Sequence, residues 1–326
     1  MADTILKATA APRDSKAPAV NSLSAIILGI ALVGLIAAPF MVYPIFLMKM
    51  LCFALFASAF NLLLGYTGIL SFGHAAFFGG AAYVTAHAVK EWGVTPELGL
   101  VIGVLAAAAL GLMIGYLAIR RQGIYSTMIT LALAQMFFFF CLQASFTHGE
   151  DGLQGVPRGY LLGFIDLNQP MNMYYFVLAL FVLGIFAIWR IINSPFGMIL
   201  KSVRENENRA ISLGYSVNRY KLAAFVMSAA LAGLAGGMKA LVFQFATLTD
   251  VGWQMSGEVI LMTLLGGIGT LIGPILGAAF VVALQNYLAT SDFPVTIVTG
   301  LIFMACVLLF RRGIIGEFYA WLERRK

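Results

Sequence analysis

Residues Met50 to Val89 read MLCFALFASAFNLLLGYTGILSFGHAAFFGGAAYVTAHAV, 40 positions without one Asp, Glu, Lys or Arg, bounded by Lys49 and Lys90. A helix crosses a bilayer with roughly 20 apolar residues, so the run predicts two spans. Gly65-Tyr66-Thr67-Gly68 sets the break between them, because two glycines within four positions favour a turn. The whole chain agrees: its 326 residues are 61% hydrophobic and 10% charged, with mean hydropathy +0.93. Soluble domains run near a quarter charged, so the expectation is an all-α integral membrane protein.

Outward from this stretch, charged residues punctuate further apolar runs. Ser22 to Met41 reads as a retained first span after a polar tail over 1–21. Leu98 to Ile119, Gln122 to Gly149, Leu167 to Trp189, Leu222 to Met238 with an uncharged extension past Lys239, Val259 to Ser291 and Phe293 to Phe310 follow. Val259 to Ser291 is too long for one span and contains Gly266-Gly267-Ile268-Gly269 and Gly273-Pro274, which break helices. It is expected to split into a short or re-entrant pair. The sequence thus predicts a polytopic bundle of about ten transmembrane helices over 22–316, some broken or re-entrant, with a basic tail over 317–326.

Orientation follows from the Lys and Arg placement. With both termini cytoplasmic, so do the tail, Arg120 and Arg121, the loop 193–219 and its flanks (Arg190, Lys201, Arg204, Arg209, Arg219, Lys221) and the carboxyl-terminal group fall inside; 16 of 20 basic residues are then cytoplasmic. The net charge of +6 is therefore a topology signal and implies no nucleic acid. Glycines at four-residue spacing (Gly99 and Gly103, Gly111 and Gly115, Gly233 and Gly237, Gly269 with Gly273 and Gly277) are expected on helix faces that let backbones approach closely.

Several chemistries have no sequence support. His74, His87 and His148 are far apart, and no Cys/His cluster has metal-ligand spacing. Cys52, Cys141 and Cys306 sit in apolar runs and suggest no disulfide framework. There is no GxxxxGK[ST] phosphate loop, so no cofactor is expected and any ATP would be bound by a separate subunit.

Two groups of residues are candidates for function. In the loop, Ser202 and Glu205 have capping-box spacing and Gly214 suits a left-handed helix end, which predicts a surface helix of about eleven residues with Asn218 capping the following span. Arg204, Glu205, Glu207, Arg209, Ala210 and Gly214 would form a docking element; a basic solvated connector is the equal alternative. In the spans, Asn61, Gly65, Tyr66, Thr67, Gly68, Ser71 and His74 form a polar, glycine-rich break, and Gln135 stands alone in mid-span. Broken helices commonly line translocation paths, although a packed, hydrogen-bonded break fits nearly as well. Ionisable residues at membrane depth are functional candidates by default; for Lys239 and Glu258, near span ends, a structural ion pair between them or snorkelling is the favoured reading.

Four stretches resemble the permease subunit of branched-chain amino-acid ABC importers, LivM type: NLLLGYTGILSFGHAAFFGGAAY from Asn61, SVRENENRAISLGYSVNRYKLAAFVMSAA from Ser202 with LAGLAGG after it, GGIGTLIGPILGAAF from Gly266, and FRRGIIG from Phe310. The resemblance covers Pro44 to Gly316. It implies the ABC importer permease fold in a bacterial inner membrane, in contact with lipid. It also implies a second related permease (LivH type), two ABC ATPase subunits and a solute-binding protein as partners, and hydrophobic amino acids as cargo. The subunit itself would not be an enzyme. The family's EAA-x-x-x-G docking pattern, aligned on Gly214, is met here by Asn208-Arg209-Ala210, with Glu207 displaced by one. A urea or short-amide permease of the same family is the alternative. An ion-coupled carrier is a rival from another class, and would call for paired acids at mid-membrane.

Overall fold

The computed structural model describes residues 33–121, 123–161, 163–289 and the single positions 300, 301 and 304. The expected tail 1–21, the basic tail 317–326 and all but three positions of the expected span Phe293 to Phe310 lie outside the described residues. So does most of the expected first span; its described end is helical over 33–37 and closes in a 3-10 turn, Ala38–Phe40. That segment belongs to a unit ending at Val42, and Tyr43 onward forms the second unit.

The second unit is a helical bundle. Its helices are α1 (Pro44–Thr67), α2 (His74–Lys90), α3 (Pro96–Ala118), α4 (Ile124–Gln143), α5 (Pro170–Ile192), the surface helices α6 (Pro195–Glu205) and α7 (Glu207–Ser212), α8 (Val217–Phe243), α9 (Trp253–Gly266) and α10 (Gly273–Leu288). Five of them, α1, α3, α4, α5 and α8, are long and apolar enough to cross a membrane. The uncharged run from Met50 divides where the glycines suggest, with α1 ending on Gly68 in the left-handed conformation (φ 76°). Val259 to Ser291 divides as expected too, into α9 and α10 around an irregular link over 267–272. Proline opens α1, α3, α5 and α6, where its missing N–H has no intrahelical partner to lose.

Burial sorts the bundle into centre and rim. Protein covers 83% of the apolar window of α1 and 78% of that of α8, but 22% of that of α4, whose outer side holds Phe139 and Phe140. Helix α8 packs on α1, α2 and α3, and α1 also packs on α5 and α10. Small residues make these approaches possible. Gly111 and Gly115 of α3 face Ala229 and Phe225 of α8, while Gly99 and Gly103 of the same helix face Val89 and Thr85 of α2. Gly236 lies so close to α2 that an added Cβ would collide with the carbonyl of Phe78. The triplet Gly269, Gly273 and Gly277 does not share a helix face: Gly269 is in the link with φ 78°, and α10 starts only at Gly273.

At the end of the bundle remote from α6 and α7, short strands tie loops to helices. Leu153–Gln154 (β1) pairs antiparallel with Phe245–Ala246 (β4), and Tyr160–Leu161 (β2) pairs with Ile165–Asp166 (β3). Arg158 donates from Nη2 to the Val242 carbonyl (2.6 Å) and from Nε to that of Leu241 (3.4 Å). It thereby satisfies carbonyls that the end of α8 leaves unpaired, although partial burial pushes its guanidinium below its ordinary value. Lys239 in α8 pairs with Asp250, 2.6 Å away, in the 3-10 turn Leu248–Asp250, and not with Glu258 as the sequence suggested. Asp250 is held within reach of Lys239 by the turn, which packs on α2 at Gly79, whereas Glu258 lies beyond it, more than a full turn into α9. Acids of similar spacing cannot be ranked without that turn.

Candidate functional site

The loop after α5 is two helices instead of one. Ser194 accepts a hydrogen bond from Gly197 N–H (3.4 Å) and Pro195 follows it, so α6 starts at Pro195, well before Ser202. Ser202 is no cap: its hydroxyl donates to the Met198 carbonyl (3.1 Å). Asn206, extended at φ −157°, then interrupts the helix and accepts from Arg209 N–H (3.0 Å) to start α7. Asn218 does not cap α8 either, since Ser216 occupies that position. Gly214 has the left-handed conformation its position suggested, φ 87°.

One side of this element is anchored. Val203, Ala210 and Val217 form a small apolar cluster with Ile199 packed against it, and Glu207 forms an ion pair with Lys221 of α8 at 2.6 Å. The other side is open. Glu205 and Arg209 are exposed, and so are Met198, Ile211 and Leu213, at 66, 53 and 68%. Exposed apolar residues beside charges on a short, capped, anchored element make a surface shaped for contact.

Arg204 is exposed too, but its guanidinium turns to the end of α1. Its Nη1 donates to the carbonyl of Gly65, in the last turn of α1. Its side chain passes within 3.3 Å of where a Cβ on Gly68 would sit, and Nη1 lies 3.1 Å from such a position on Gly269. Asn61 joins the same two breaks: Oδ1 accepts from Gly269 N–H (2.9 Å) and Nδ2 donates to the Thr270 carbonyl (2.8 Å). The backbones of Gly65 and Gly269 approach so closely that a Cβ on Gly65 would lie 2.7 Å from Gly269 N. Lys201 of α6 lies 5.7 Å from the ring centre of Tyr66, a second link between α6 and the end of α1.

The remaining members of the α1–α2 break are packed among protein. The Thr67 hydroxyl donates to the Leu63 carbonyl, and Ser71 Oγ accepts from Gly73 N–H (3.2 Å). His74 is wholly buried among Phe60, Phe77 and Phe225, with Nε2 2.9 Å from Ser228 Oγ. Ser228 donates its single proton to the Ala59 carbonyl (2.6 Å), so it accepts from His74, and the chain of bonds pins α1, α2 and α8 together. Gln135 stands apart, half-buried on α4. The structure thus brings Asn61, Gly65, Tyr66, Gly68 and Arg204 to one junction, keeps Glu205, Arg209 and Gly214 at the surface, and separates Gln135 from both. Sequence reasoning missed the 267–272 link as part of the junction. The glycines at Gly267 and Gly269 were the available signal.

Residues 42–310 match the family described as "Branched-chain amino acid transport system / permease component". Relatives include the high-affinity branched-chain amino acid transport system permease protein LivM of Escherichia coli (strain K12), 28% identical over 275 residues, which are 77% of this chain and 64% of that protein. The probable branched-chain amino acid transport permease protein LivH of Methanocaldococcus jannaschii is 23% identical, with 79% and 86% covered. The autoinducer 2 import system permease protein LsrC of Klebsiella pneumoniae is 29% identical, with 64% and 60% covered. The chain therefore spans less than two thirds of the length of the Escherichia coli relative. No solved structure matches.

Proposed function

The chain belongs to the family of permease components of branched-chain amino acid transport systems, and on that premise we propose that it is the permease subunit of an ATP-driven importer. Its cargo is branched-chain or similarly hydrophobic amino acids, as the names of its LivM and LivH relatives suggest. A solute-binding protein delivers the cargo. The LivH-type likeness suggests a second, related permease as neighbour.

The observation that carries the reading is the open side of α6 and α7. The sequence holds no phosphate-binding loop, so the ATP must be bound by partner ATPase subunits, and their docking needs a rigid element on one membrane side. Arg209, Glu205, Ile211 and Leu213 supply polar and apolar contacts, while Ala210 and the Glu207–Lys221 pair hold the element to the bundle. The basic residues Arg120, Arg121, Arg190, Lys201, Arg204, Arg209, Arg219 and Lys221 gather at the same end, which argues for a cytoplasmic position and for both termini inside. In a bacterium this is the inner membrane. Transport proceeds by alternating access, with ATPase closure biasing the bundle between two states. The Asn61 to His74 break and Gln135 are the proposed pathway region, in which the break acts as a joint between packed helices.

The test is co-purification of the ATPase subunits with the tagged chain, followed by uptake assays. Arg209→Glu and Leu213→Ser should each reduce ATPase recovery at least fivefold at unchanged protein level; full recovery in both would remove the docking assignment. Cargo is read separately with labelled leucine and urea, urea being the alternative substrate class. Uptake of urea without leucine would overturn the amino-acid reading.

A further inference from the structure

Arg204 sits in the docking element by sequence and is exposed, yet its guanidinium is bonded to the end of the bundle and not free in solvent. Three independently anchored pieces of backbone meet at it: α6, the last turn of α1 and the 267–272 link. The Gly65 carbonyl is one that the end of α1 cannot pair within the helix, so it carries the partial negative charge of a helix terminus and attracts a cation. A hydrogen bond from an ionised donor is shorter and stronger than one between neutral groups. Asn61 holds the link to α1 from the other side of the same point, with one bond donated and one accepted. Gly68 and Gly269, both at positive φ, leave room for the arginine stem and head. Arg204 and Asn61 therefore both have their hydrogen-bond partners in another segment, which is the construction of a linkage and not of a cavity.

We propose that Arg204 is a positioning residue that carries displacement of the docked α6–α7 element into both helix breaks at once, so that α1 and the α9–α10 pair move as one body with it. The inference rests on the docking reading but goes beyond it: Arg204 does not hold the ATPase, it passes on the motion. Replacing it should separate ATP hydrolysis from transport, whereas replacing an outward residue such as Arg209 should lose the ATPase.

The experiment uses the full complex, reconstituted in vesicles with its ATPases, second permease and binding protein. In Arg204→Met the ATPase subunits should remain bound and hydrolysis continue, while labelled leucine uptake per transporter falls at least tenfold. Arg204→Lys, which keeps the charge but loses the planar fork, should recover part of that loss. A structural role alone would lower hydrolysis, binding and uptake together. Loss of the ATPase from Arg204→Met, or uptake within twofold of the unmodified chain, would overturn the proposal. A cargo-independent measurement uses spin labels at positions 202 and 268, both exposed and neither among the docking contacts. Their separation should stay in one narrow distribution between nucleotide-free and ATP-trapped states, and should shift or broaden on trapping in Arg204→Met. An unaltered distribution in the variant rejects the linkage even if leucine proves to be the wrong cargo.

Discussion

At the scale of single residues, stability depends on a few contacts that leave no slack. Gly236 faces the Phe78 carbonyl, and its hypothetical Cβ would also lie 3.0 Å from Phe78 Cα. Backbone cannot swing aside as a side chain can, so Gly236→Ala should cost about 1–3 kcal/mol through overpacking. A thermal shift of several degrees in detergent would register it; an unshifted melt would mean that α2 and α8 separate freely. The Lys239–Asp250 pair is a second such contact, with both side chains under a tenth exposed. Lys239→Met leaves a buried carboxylate uncompensated and should cost about 3–5 kcal/mol, and adding Asp250→Leu should restore much of it. Additive losses in the double variant would refute the pairing. This pair also marks a limit of the sequence. Both charges are visible there, but the partner of Lys239 is chosen by a 3-10 turn whose capping box, Thr247 with Asp250, is inconspicuous in an apolar context.

At the scale of elements, spans are legible because the bilayer imposes a length and excludes charge. The division of Met50 to Val89 and of Val259 to Ser291 follows from glycine and proline alone. The surface loop is harder, since the water-exposed chain obeys local competition between caps. Ser194-Pro195 begins a helix before Ser202 can, and Asn206 ends it before Gly214 does. Asn206 is therefore the pivot of the docking element. Asn206→Ala should cost about 1 kcal/mol by removing the cap of α7. With α7 only six residues long, the same substitution should reduce ATPase recovery severalfold without altering the melting temperature of the bundle. Unchanged recovery would show that α7 holds its shape without the cap. The bond from Arg204 to Gly65 is illegible in the sequence for a related reason: next to Glu205 the arginine reads as one more solvated charge, and only the fold brings Gly65 and Gly269 beside it.

For the whole molecule, the sided distribution of charge yields a direct prediction. Phe164, 92% exposed in the β2–β3 turn, and Leu213, 68% exposed beyond α7, lie at opposite ends of the bundle. A membrane-impermeant maleimide should label Phe164→Cys in intact spheroplasts and Leu213→Cys only in opened ones. The reverse pattern would invert the assigned orientation and with it the ATPase docking side. At the end bearing Phe164, the two-residue ladder between Leu153 and Ala246, the Arg158 fork on α8 and the bond from Lys90 Nζ to the Gln154 carbonyl (3.0 Å) all secure one stretch of loop. That stretch acts as a drawstring sewn to the rims of α2 and α8 and to the approach to α9. Trypsin should cut after Arg158 slowly while the stitches hold, and Lys90→Met should hasten the nick, making that cleavage a gauge of how far the outer rim has loosened.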